Sequence, residues 1–182
     1  MRPSGTSFES CYRKDVAMRC LRNGFHACWI GAALLTAQVT TAKAAGKIYY
    51  GSRVGMTVSV VSVEGLDSER AIIRTQHSRE DAIGFCRDYV REVTEECIKA
   101  ELEIPMNDVI TANCKTGVFT DFFGNRYQFK GKNLEPDPMA AYTVIDLRTG
   151  EIADGSSASG YPTNMGIFQS LCPGTAPFEG DW

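Results

Sequence analysis

Histidine is almost absent from this chain: two residues in 182, of which only His77 lies beyond position 44. An assembled pair of imidazoles is therefore missing from the body of the protein. No two cysteines there stand at C-x2–4-C spacing, so a zinc site would have to gather scattered ligands. A basic excess is missing too. With 19 Lys+Arg against 22 Asp+Glu, the phosphate-neutralising surface of a nucleic-acid binder is disfavoured. At 43% hydrophobic and 23% charged residues, the composition excludes a disordered chain, a collagen and a polytopic membrane protein. Neither an internal repeat nor a long linker is visible. No G-x-S-x-G, H-E-x-x-H, P-loop or G-x-G-x-x-G stands before or after the elements it needs.

What is present divides at residue 44. Residues 1–44 carry six basic and two acidic residues, a net of +4, and residues 45–182 carry 13 and 20, a net of −7. Arg19 and Arg22 precede Asn23–Ala42, which holds no Lys, Arg, Asp or Glu and is most apolar from Ala27 to Ala37. Ala42-Lys43-Ala44 fits the small-residue A-x-A pattern. A basic flank, a short apolar stretch and that pattern read as a secretory signal, with cleavage expected after Ala44. The alternative is an uncleaved anchor, but His26, Thr36, Gln38, Thr40 and Thr41 dilute the stretch that would have to span. Residues 1–17 suit the signal poorly, and Met18 offers a second start directly before the basic region.

Removing the signal removes Cys11, Cys20 and Cys28. Cys86, Cys97, Cys114 and Cys172 remain, an even number in an exported chain, so two disulfides are expected. Their pairing depends on the helix expected between them. Ile83, Cys86, Tyr89, Val90, Val93, Cys97 and Leu102 recur at three- and four-residue spacing, which predicts one helix over 79–102 with Ser78 at its start. On such a helix Cys86 and Cys97 lie about 16.5 Å apart. Bridged Cα atoms need to be within about 7 Å. Cys97–Cys114 with Cys86–Cys172 is therefore the favoured pairing, and the swap is the alternative.

Around that helix the sequence reads as strands. Met56–Glu64 and Arg70–Gln76 form a hairpin about Gly65-Leu66-Asp67-Ser68. Val109–Asn113, Val118–Phe122 and Arg126–Lys130 form a meander, and Tyr142–Leu147 with Gly150–Ala153 a further hairpin. Ala45–Val54 is either a flexible arm or a short edge strand. Pro162-Thr163 introduces a short helix over Asn164–Leu171. The expected fold is α+β: antiparallel hairpins and a meander on one long helix, with a short C-terminal helix. One domain is expected over residues 45–173, with a disordered tail over 174–182.

The chemistry available to that domain is sparse. His77 lies near Glu80 and Asp81, and with one of them or Asp121 it would make a small hydrolase; the plainer reading is a structural histidine. Ser156, Ser157 and Ser159 lie in a Gly-rich loop without the geometry that activates a serine. Asp146, Glu151 and Asp154 match no compact calcium loop. The aromatic run is less ordinary, with Phe119, Phe122, Phe123, Tyr127 and Phe129 inside eleven residues. If the strand stays regular, Phe122 and Phe123 point to opposite faces. Phe122, Phe123, Tyr127 and Tyr161 are the candidate binding residues.

Three stretches together resemble small exported bacterial proteins of uncharacterised function. They are Gly55-Met56-Thr57-Val58; Ile110-Thr111-Ala112-Asn113-Cys114 with Thr116-Gly117; and Asp154-Gly155 through Gly160-Tyr161-Pro162 to Leu171-Cys172-Pro173. The resemblance implies export and one compact domain, and no catalytic residue. Residues 1–17 depart from the pattern. The expectation is a periplasmic or secreted, non-enzymatic domain that binds a protein or glycan of the cell envelope. It needs no cofactor, metal, nucleic acid or membrane. An inhibitor of an envelope hydrolase is the alternative.

Overall fold

A computed structural model describes residues 46–135 and 139–176. The expected signal region, 1–44, lies outside the described residues. Seven strands form one antiparallel meander in sequence order: β1 Lys47–Tyr49, β2 Thr57–Glu64, β3 Ala71–Gln76, β4 Val109–Asn113, β5 Val118–Thr120, β6 Arg126–Lys132 and β7 Tyr142–Asp146. Three helices accompany them: α1 Arg79–Phe85, α2 Glu95–Leu102 and α3 Tyr161–Leu171. The mixed α+β class holds, but strands dominate and no long helix organises the fold.

Alternation decides which side of the sheet is the core. Ala71, Ile73 and Thr75 of β3 are buried, while the residues between them are half-buried or exposed. Ile110 and Ala112 of β4, Phe119 of β5, Phe129 of β6 and Val144 of β7 continue the same inner face. α3 fills it with Met165, Ile167, Phe168 and Leu171. Phe168 is the pivot, with ring centroids 4.5 Å from Phe129 and 5.2 Å from Phe119. α3 touches β1, β3, β4 and β7. A single helix reaches both outer strands only if the sheet curls around it.

The expected helix over 79–102 is corrected to two short helices. α1 begins as read, with the Ser78 side chain accepting from Asp81 N–H and the Asp81 carboxylate accepting from Ser78 N–H. It ends after Phe85 in a π-helical turn, Cys86–Val90, and Arg91 turns the chain in the left-handed region at φ 68°. Thr94 then caps α2, its hydroxyl accepting from Cys97 N–H at 3.2 Å, with Glu95 and Glu96 in the first turn. The helices fold onto each other around Ala82, Cys86 and Ile98, a small core separate from the main one.

The disulfide pairing is corrected for the same reason. Cys86 is bonded to Cys97, with Cα atoms 6.1 Å apart, and Cys114 to Cys172, at 5.6 Å. Neither the favoured pairing nor its swap occurs, because both were built on an unbroken helix. Cys114–Cys172 joins the end of β4 to the end of α3 across the main core. Cys86–Cys97 closes the bend between α1 and α2.

Other boundaries move less. The early arm contains the edge strand β1. The hairpin expected at Tyr142–Ala153 keeps β7 and reduces its return to one bridge, Ile145–Ile152. The disordered tail expected from 174 is corrected at its start: Gly174 N–H donates to Asp67 Oδ1 at 2.7 Å, and Ala176 is buried. The rest of that tail, 177–182, lies outside the described residues. No described helix is long and apolar enough to cross a membrane.

Candidate binding surface

The expected aromatic site is not brought together. β5 stops at Thr120, because Asp121 Oδ1 accepts from Phe123 N–H and Asn125 N–H, both at 2.8 Å, and turns the chain. Phe122 is 1% exposed and Tyr161 4%, so neither offers a ring to a partner. Tyr161 instead accepts a 2.9 Å hydrogen bond from Tyr142 N–H. Tyr127 is half-buried and stacks on Phe119. Phe123 alone is open, at 50%.

The polar residues singled out in the sequence meet a different fate. His77 sits at the β3–α1 junction with its ring 5.4 Å from that of Tyr50 and its Nε2 3.9 Å from Glu101 Oε1. Both ring nitrogens are buried without a hydrogen-bond partner. Burial lowers the His77 pKa, and Asp81 opposes that only in part. Glu101, buried and bonded by the Tyr50 hydroxyl, has its pKa raised by burial. Nothing in the sequence flagged Glu101.

Asp81 is wholly buried but saturated. Lys47 Nζ lies 2.8 Å from Oδ1, Ser59 Oγ donates to both carboxylate oxygens, and Ser78 donates to Oδ2 from its amide and its hydroxyl. Burial pushes its pKa up, but these donors outweigh burial and the net direction is down. Lys47 and Ser59 face each other directly across β1 and β2. Asp81 therefore fastens α1 to the first two strands.

The remaining candidates close local turns. Asp121 is held by its own turn, as above, and Glu80 is exposed. Asp146 Oδ1 accepts from Arg148 N–H, and Asp154 Oδ1 from Ser156 N–H. Among the described residues, no group of three His, Cys, Asp or Glu side chains could hold a metal ion.

Exposed apolar surface gathers elsewhere, around the loop from β1 to β2. Gly55 lies against α1, where a Cβ would come 2.7 Å from Phe85 Cα, and its φ of 84° favours glycine. This contact seats the loop on the helical bend. Arg53 then lies over the Tyr89 ring at 4.8 Å, and Tyr89 stacks on Phe85. Tyr49 is 52% exposed, Val54 51% and Tyr89 43%, and Val90 and Val93 of the bend are also open. On the other side of the loop a groove of about 370 Å³ runs between β1 and α3. Lys47, Tyr49, Gly51 and Ser52 line one wall, and Gly166 and Ser170 the other. The loop thus joins an aromatic and aliphatic patch to a narrow groove.

The acid–base groups are packed between sheet and helices, whereas the open surface carries a Tyr–Arg stack and aliphatic side chains. The two disulfides point to an oxidising, non-cytoplasmic compartment. No family model, curated protein or solved structure matches the chain.

Proposed function

We propose that this chain is an exported, non-catalytic domain of the periplasm or the secreted fraction, and that it binds a protein of the cell envelope. The observation that carries the proposal is the open surface about the β1–β2 loop: Tyr49, Val54, Tyr89 and Val90 exposed around a loop seated on Phe85. Tyrosine and arginine are the residues that most often anchor protein interfaces, and aliphatic neighbours keep water from them. Four scattered surface side chains would need no explanation; a loop that unites them does.

A protein partner fits better than a glycan. Sugar rings stack on open aromatic faces, and of the four candidate rings expected to supply them only Phe123 is exposed. A hydrolase is the weaker reading, because His77 and Glu101 are closed off between β3, α1 and α2 rather than set in a cleft.

The test is recovery of a partner from envelope extract on the immobilised chain, compared with a Val54→Asp/Tyr89→Ala variant. The expected result is a discrete partner retained by the parent and lost by the variant at unchanged melting temperature. Equal recovery by both proteins would move the binding surface elsewhere.

A further inference from the structure

The free edge of β1 has a definite hydrogen-bonding character. Val60 N–H donates to Gly46 O at 2.9 Å and Tyr50 N–H to Met56 O at 3.0 Å. With Ile48 opposite Val58, residues 46, 48 and 50 therefore turn their backbone groups toward β2. Lys47 and Tyr49 turn theirs the other way. β1 ends the strand order, so among the described residues these two N–H and two C=O groups meet no further strand. Exposed edges of this kind are templates for another strand.

Gly166 lines the groove beside that edge. This glycine lies within α3, although glycine is a poor helix former. A Cβ placed there would find nothing within 4 Å, so packing inside the chain does not call for glycine. Its bareness widens the space along β1. Lys47 also lines the groove, but its ammonium is held by the buried Asp81 carboxylate at 2.8 Å, so selection rests on the backbone edge and on Gly166.

We propose that an extended segment of the protein partner adds to β1 as an eighth strand, hydrogen-bonded to the backbone of Lys47 and Tyr49. The segment sets a small or aliphatic side chain over Gly166. This rests on the protein-binding reading above. Two residues of an added strand, spaced i and i+2, match the two residues that present free groups. An extended backbone supplies that alternation of donors and acceptors.

The experiment uses a random heptapeptide library displayed on phage and selected on the exported chain, with enriched sequences resynthesised. Peptides with small or aliphatic residues at alternate positions are expected. N-methylation at alternate residues should weaken binding at least tenfold, and at the residues between them should not. Gly166→Leu should fill the groove without a clash and weaken binding at least tenfold at unchanged or raised melting temperature. Tyr49→Pro removes one outward N–H while leaving the β1–β2 ladder intact, and should do the same. No enrichment, or binding indifferent to N-methylation and to Gly166→Leu, would overturn the proposal. Failure of the parent reading looks different: a partner still captured through Val54 and Tyr89 by the Gly166→Leu protein sinks strand addition alone, whereas no partner captured by either protein sinks both.

Discussion

Cys86 and Cys97 are bonded with their Cα atoms 6.1 Å apart, where eleven residues of unbroken helix would hold them at about 16.5 Å. The bond and the long helix exclude each other. Peptide mapping of unreduced protein should therefore return Cys86 linked to Cys97 and Cys114 linked to Cys172. A Cys97–Cys114 peptide would restore the long helix.

The two bridges should differ in weight. Cys114–Cys172 closes a 58-residue separation and Cys86–Cys97 one of 11. By loop-closure entropy the first contributes about 4 kcal/mol and the second about 3 kcal/mol. Paired Cys→Ser variants should lose stability in that order in guanidinium melts. Loss of Cys86–Cys97 should free amide exchange in residues 79–102 before the sheet, because that bend has its own small core.

Acid should weaken the fold through His77. Its pKa is lowered in the folded chain, mainly by burial, so the contribution of its neutral form is present above the unfolded value of about 6.5 and is lost as pH falls through the folded value. Glu101 runs the opposite way: raised by burial, it contributes stability at low pH that is lost as pH rises through its folded value. Urea midpoints measured from pH 5 to 8 should fall on the acid side, and less so in His77→Phe. Glu101→Gln should remove the loss of stability that sets in as pH rises above the ordinary glutamate value of 4.5, while keeping a partner for the Tyr50 hydroxyl. Parallel profiles for parent and variants would mean that neither group is buried as described.

Phe122 and Phe123 give a direct contrast between adjacent rings. Phe122→Ala should cost about 3–5 kcal/mol, since its side chain is enclosed in the core. Phe123→Ala should stay within about 1 kcal/mol. Similar losses at both positions would show that the Asp121 turn is misplaced.

Much of the sheet was legible because its cues are local. The expected strands at 56–64, 70–76 and 109–113 match β2, β3 and β4 to within a residue, through β-branched alternation between glycine turns. The bend in the helix was masked by coincidence. The two short helices bury Cys86 and pack Ile83 and Cys97 against it, as one straight helix would, while Val90 and Val93 of the same stripe fall on the bend and are exposed, so spacing alone did not separate the two. Thr94 followed by Glu95 and Glu96 was the readable signal, a second helix start inside the first. The end of β5 was hidden in the Asp121 side chain, which captures two amides and makes a turn where the aromatics suggested strand. The candidate surface was not legible at all. Nothing in sequence order joins Gly55 to Phe85 or β1 to Gly166.

The most direct test of protein binding through the β1–β2 loop is a photo-crosslinking scan in cells exporting the chain. A photoreactive phenylalanine is placed in turn at Val54, Tyr89, Phe123 and Ile152, all exposed positions. The account predicts an adduct of one discrete mass at Val54 and Tyr89, and none at Phe123 or Ile152. An adduct at Phe123 with none at Val54 or Tyr89 would contradict it and return the binding site to the aromatic meander.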